Sequence, residues 1–159
     1  KNGGTVITIG SSSRLATVIG APVEVAVAKK DGDKVVGLSN KEFYIPGSVL
    51  RAKVDNTQPL AYGMPTEVDV FFDRSPTFNL KASASGVARV SWFDTDKPLR
   101  SGWAVGQEKL KGSTGVLDID YGKGKLLVMG PEVTQRAQPY GTFKFLFNGL
   151  LYGPAAAKQ

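Results

Sequence analysis

The spacing of apolar and polar residues predicts a chain made mostly of strands, with one helix near each end. Thr5-Val6-Ile7-Thr8-Ile9 is a β-branched run, the signature of a buried strand. Gly10-Ser11-Ser12-Ser13 follows, and residues 14–19 turn helical, with serine suited to accept an orphan N–H at the helix start. Gly20 and Pro22 end that helix. The opening order, strand then loop then helix, predicts a parallel sheet. Residues 23–28 predict a second strand, and the polar stretch 29–40 an exposed loop. Residues 47–54 alternate apolar and polar, as a half-solvated strand does. Further strands are predicted over 67–72, 87–93, 99–105 and 114–120. Tyr121-Gly122-Lys123-Gly124 fits a tight hairpin turn into a buried strand at 125–129. Residues 142–152 predict the last helix, with Phe143, Leu146, Phe147, Leu150 and Leu151 forming its apolar face.

This pattern fits one α/β domain over residues 1–153, with 154–159 as a flexible tail. The 159 residues are enough to bury a core without staples. Two helices are too few to cover both faces of a doubly wound sheet. The expectation is therefore either an α+β arrangement or a sheet whose flanking βα units lie upstream. The abrupt entry into a strand after Lys1 reads as a cut end.

Composition narrows the chemistry. The chain has no histidine and no cysteine. Disulfides, thiol nucleophiles, Ser-His-Asp triads and histidine-ligated metals are thereby excluded from this sequence. Carboxylate, lysine, tyrosine or Ser-Lys chemistry stays open. No apolar run approaches the roughly 20 residues that a membrane-spanning helix needs. Net charge is +6, with 11 Lys/Arg against 6 Asp/Glu in residues 81–159 and 9 against 8 in residues 1–80. The cations are scattered, without the stripe and interleaved aromatics of a nucleic-acid binder, so no nucleic-acid partner is expected.

Several residue groups invite a functional reading. Ser11, Ser12, Ser13 and Arg14 sit between a strand and a helix, where N–H groups and hydroxyls either hold an anion or simply cap the helix. No dinucleotide fingerprint is present there. Glu132, Gln135, Arg136, Gln138 and Tyr140 crowd the loop at the carboxyl end of the 125–129 strand, the favoured ligand edge of an open sheet. Arg136 is suited to clamp a carboxylate, or pairs with neighbours to fix the loop. Asp69, Asp73, Asp94 and Asp96 raise the question of a glycosidase-like carboxylate pair, though their spacing does not suit a calcium loop. Asp118 and Asp120 read as the wet face of a strand. Trp92 and Trp103 serve either as sugar-stacking platforms or as packing. Tyr44, Phe71, Phe72 and Phe78 read as core, and Asn148 as a hydrogen-bond donor to a nearby loop.

The segments GGTVITIGSSSRLA (3–16), FYIPGSVLRAKVDNTQPLAYGM (43–64), VDVFFDRSPTF (68–78), SGWAVGQEKLKGSTGV (101–116) and GKGKLLVMG with QRAQPYGTFKFLFNGLL (122–151) lie in order along nearly the whole chain. Together they resemble a C-terminal region of bacterial zinc carboxypeptidases of the M14 type. The resemblance implies an α/β fold of class I glutamine-amidotransferase-like character. It also implies a periplasmic or secreted parent that holds zinc in a separate peptidase domain. No residue here matches the family's histidine zinc ligands, and the Cys-His-Glu triad of amidotransferases is absent as well. The implied role is a non-catalytic accessory domain without a cofactor of its own. Its implied partners are the parent's peptidase domain and peptide or cell-wall glycan. An independent glycan-binding module is the alternative.

Overall fold

A computed structural model describes residues 2–32 and 34–156. The chain begins with β1 (Thr5–Ile9), a 3-10 turn (Gly10–Arg14) and α1 (Leu15–Val18). Next come β2 (Val23–Val25), β3 (Ala28–Asp31), β4 (Lys34–Gly37), β5 (Ser48–Val54) and β6 (Glu67–Phe72). The rest is β7 (Phe78–Leu80), β8 (Val87–Trp92), β9 (Leu99–Ser101), β10 (Thr114–Tyr121), β11 (Gly124–Met129) and α2 (Phe143–Ala156).

Among the described residues, nine strands form one sheet, with the order β1-β11-β10-β8-β5-β6 along its main path. β7 bridges β10 to β2, and β9 joins β8 in pairing with the inner edge of β5. The result is mixed α/β with few helices and a β-rich middle, as expected. The parallel arrangement is confined to β1 on β11; the other described pairs are antiparallel. Short turns such as the one at 121–124 can return a strand only antiparallel, so the middle of the chain departs from the opening unit.

Three local expectations change. The stretch 29–40 is no simple loop: β3 and β4 pair there as a separate hairpin. The 23–28 strand stops at Val25, where Ala26 N–H donates to Thr77 O. The 99–105 strand stops at Ser101, and Trp103 N–H instead finds the Ser48 hydroxyl.

β11 is apolar on both faces because both are covered. Leu127 and Met129 enter the core shared with Leu50, Phe72 and Phe93, while Leu126 and Val128 pack with Ala16, Phe78 and Ile119. Phe72 and Phe93 meet edge to face at 6.0 Å. α2 covers β1 and β11, but not with the face predicted. Its buried residues are Phe145, Gly149 and Gly153. Gly149 lets the helix settle against Ile7, Leu60 and Leu127, and Gly153 does so against Thr5. Phe147, Leu150 and Leu151 turn to solvent. α2 also continues through Ala156, so residues 154–156 of the expected tail are its last turn. Lys1 and residues 157–159 lie outside the described residues.

Candidate functional site

The carboxyl ends of β1, β6 and β11 converge, and the loops leaving them meet there. Glu132 N–H donates to Phe71 O at 3.0 Å, tying the loop after β11 to the end of β6. The Glu132 carboxylate lies over Gly10, where a Cβ would stand 1.9 Å from Oε1. Gly10 has a φ of 61°, which glycine adopts without strain. Two groups separated by about 120 positions in sequence therefore meet, the serine turn and Glu132.

The serines themselves are committed to structure. Ser12 Oγ accepts from Ile9 N–H at 3.0 Å and donates to Ile9 O. Ser13 is fully buried and donates to Met129 O at 2.9 Å, fastening the turn to β11. Ser11 and Arg14 are exposed. With the Glu132 carboxylate already beside the turn, a second anion on its N–H groups meets like charge.

Arg14 instead faces another space. A cavity of about 150 Å³ lies between the turn and the end of β6, lined by the polar residues Arg14, Asn40, Tyr44, Arg74, Ser75 and Thr77. Val25, Val27, Phe43 and Ile45 line it as well. Arg74 holds a left-handed φ of 50°, which costs a non-glycine residue about 1 kcal/mol or more. Its N–H donates to Ile45 O, and its guanidinium lies over the Tyr44 ring at 5.2 Å. A hydrogen bond to the Tyr44 hydroxyl, first among its influences, raises the Arg74 pKa further. Tyr44 thus lines a site where the sequence pattern had placed core. Nothing in the run Asp73-Arg74-Ser75-Pro76 marks it as part of a cavity, beyond being a turn after a strand.

The other predicted site residues separate. Gln138 and Tyr140 line a groove along β6 with Arg51, Asp69 and Phe71. Arg136 is exposed on a strained turn, with φ of 48° at Arg136 and 55° at Ala137. It does not join Glu132 in an ion pair.

Asp69 and Asp94 are answered by cations rather than by other carboxylates. Arg51 grips Asp69 and Glu67, and Lys53 holds Glu67 with Asp94 at 3.9 Å. Asp73 accepts from Gly47 N–H. Among the described residues no group of three or more His, Cys, Asp or Glu side chains is placed to hold a metal. Asp118 is not on a wet face: it is 5% exposed and pairs with Lys125.

The tryptophans do not share a platform. Trp92 lies opposite Lys53 and Trp103 bonds to Ser48, five residues apart along β5, or about 17 Å at the rise of a strand. The Arg89 guanidinium sits 5.2 Å from the Trp92 ring. Trp103 is 65% exposed. Asn148 donates to Leu60 O and Tyr62 O, as read from the sequence. No helix among the described residues is long and apolar enough to cross a membrane.

No family model and no curated protein matches this chain. A solved structure of a ThuA-like protein from Bacteroides uniformis is similar at 17% identity with a TM-score of 0.42. The likeness covers 68% of this chain and 45% of that one. The chain spans less than half the length of that structure.

Proposed function

We propose that this chain is a non-catalytic accessory domain that docks through the outer face of α2. The sequence resemblance makes its partner the peptidase domain of a periplasmic or secreted bacterial zinc carboxypeptidase, with the zinc held there. The observation that carries the docking role is the helix itself. Phe147 is 56%, Leu150 56% and Leu151 78% exposed, on a helix whose opposite face is buried. Tyr140 and Tyr62 are exposed nearby in the fold, Tyr140 meeting Phe143 edge to face and Tyr62 sharing a groove with Leu151. Lys144 is the only charged residue of α2, and it bonds to Gly63 O. A helix apolar on all sides is normally enclosed between layers. Contiguous apolar surface of this kind marks an interaction site. Interfaces between domains of one polypeptide bury roughly 600–1,500 Å².

The test is association with the peptidase domain produced separately. Leu150→Asp and Leu151→Asp should each abolish binding and leave the melting temperature of this domain unchanged. Binding that survives both substitutions removes the docking role from α2. The chain alone should hydrolyse no peptide with or without added zinc, and turnover by the purified chain defeats the accessory reading. A glycan-binding module is the second reading and rests on exposed Trp103. It requires retention on a polyanionic cell-wall glycan that Trp103→Ala removes.

A further inference from the structure

We infer that the cavity between Arg14 and Arg74 binds a small carboxylate carrying a branched apolar group. The site is independent of the α2 surface and of the accessory role.

Four observations carry this. Two arginines from distant parts of the chain line one cavity, and no Asp or Glu lines it with them. Among the described residues the Arg14 guanidinium has no ion pair or hydrogen bond; that of Arg74 bonds only to Tyr44, with the Asp73 carboxylate acting on it without forming an ion pair. An arginine offers a planar fork of donors matched to a carboxylate, so two lining one cavity favour an oxyanion. Thr77, 2% exposed, also lines the cavity, and its hydroxyl has no hydrogen-bond partner among the described residues. Buried polar groups of this kind are normally satisfied, and each exception calls for a partner. Finally, Arg74 keeps a left-handed backbone that glycine would hold at less cost, and such strain concentrates at ligand clamps.

The apolar walls set the rest of the ligand. Val25 and Val27 continue from the cavity into an adjoining groove of about 400 Å³, which Val23 and, from the β3–β4 hairpin, Val35 and Val36 also line. Arg14, Thr17, Glu24 and Lys81 also line this groove. Two arginines and an unpartnered threonine beside valine side chains fit an acid with a short branched side chain. A bare oxyanion would use only half of it.

The probes are N-acetyl-leucine, its uncharged amide and inorganic phosphate, followed by amide chemical shifts and by calorimetry on the whole chain. The acid should bind with saturable shifts at Arg74 and Thr77, at least tenfold tighter than the amide or phosphate. Arg14→Gln and Arg74→Gln should each weaken it about tenfold with an unchanged melting temperature. Lys109→Gln, which removes a remote exposed cation, should change nothing and so separates the site from general surface charge. Equal binding of acid and amide overturns the guanidinium clamp. Phosphate binding as tight as the acid overturns the role of the apolar wall. The absence of any saturable shift at millimolar acid overturns the site itself.

Discussion

Lys125 on β11 reaches across to Asp118 on β10 at 3.0 Å, and the pair is mostly enclosed, with Asp118 only 5% exposed. Lys125 also meets Asp120 at 2.9 Å and lies 5.5 Å from the Tyr152 ring centre, which ties α2 to the strands below it. An ion pair this deep is costly to break from one side, because the remaining charge stays buried. Lys125→Met should therefore destabilise the domain by about 3–5 kcal/mol. Lys125→Met combined with Asp118→Leu should recover part of that loss. Urea unfolding of the single and double variants measures both.

The same cluster predicts alkaline instability. Burial pulls the Lys125 pKa down, but hydrogen bonds to Asp120 and Asp118 outweigh it and leave the pKa above the ordinary 10.5. Burial also pushes the Tyr152 hydroxyl above 10.0. Both groups bind their protons more tightly when folded. Their contribution is whole below pH 10 and declines as pH rises through the raised folded values. Melting temperature measured from pH 8 upward should fall above pH 10, and less steeply in Lys125→Met. An identical fall in wild type and variant contradicts this origin.

Glu42 predicts an effect at the acid end. The Ser39 hydroxyl and N–H, then Lys29, hold its carboxyl down at about 2, from 4.5. The stabilisation is present above pH 4.5 and is lost as pH falls towards 2. Carbon-detected titration should place Glu42 at about 2. Ser39→Ala should move it up and speed amide exchange in the β3–β4 hairpin, which Lys29 joins to Glu42.

The two faces of α2 should respond oppositely to substitution. Phe145→Ala opens the core and should cost about 3–5 kcal/mol. Leu151→Lys, on the outer face, should stay within about 0.5 kcal/mol. Gly153→Ala would put a Cβ 2.5 Å from Thr5 Cγ2, an overpacking cost of about 1–3 kcal/mol against a helix-propensity gain of about 1. At Gly149 the nearest atoms are side-chain ends at 3.2–3.3 Å, so alanine should be the milder change there. Denaturant midpoints of the four variants order these effects.

The strands were legible in the sequence wherever a two-residue alternation or a β-branched run had one environment to match. Thr5–Ile9, Ser48–Val54, Glu67–Phe72 and Lys125–Met129 form where that pattern places them. The lack of imidazole and thiol was equally legible and settles which chemistries this chain cannot perform. The orientation of α2 was not legible. Its sequence is apolar around most of its circumference, so periodicity offers no unique inward face. The choice falls to Gly149 and Gly153, whose missing side chains allow close approach to β1 and β11, a property visible only once those strands lie beneath them. The cavity was hidden for the same reason. Arg14, Tyr44 and Arg74 are far apart along the chain and belong to no shared pattern, and the convergence of the strand ends alone brings them together.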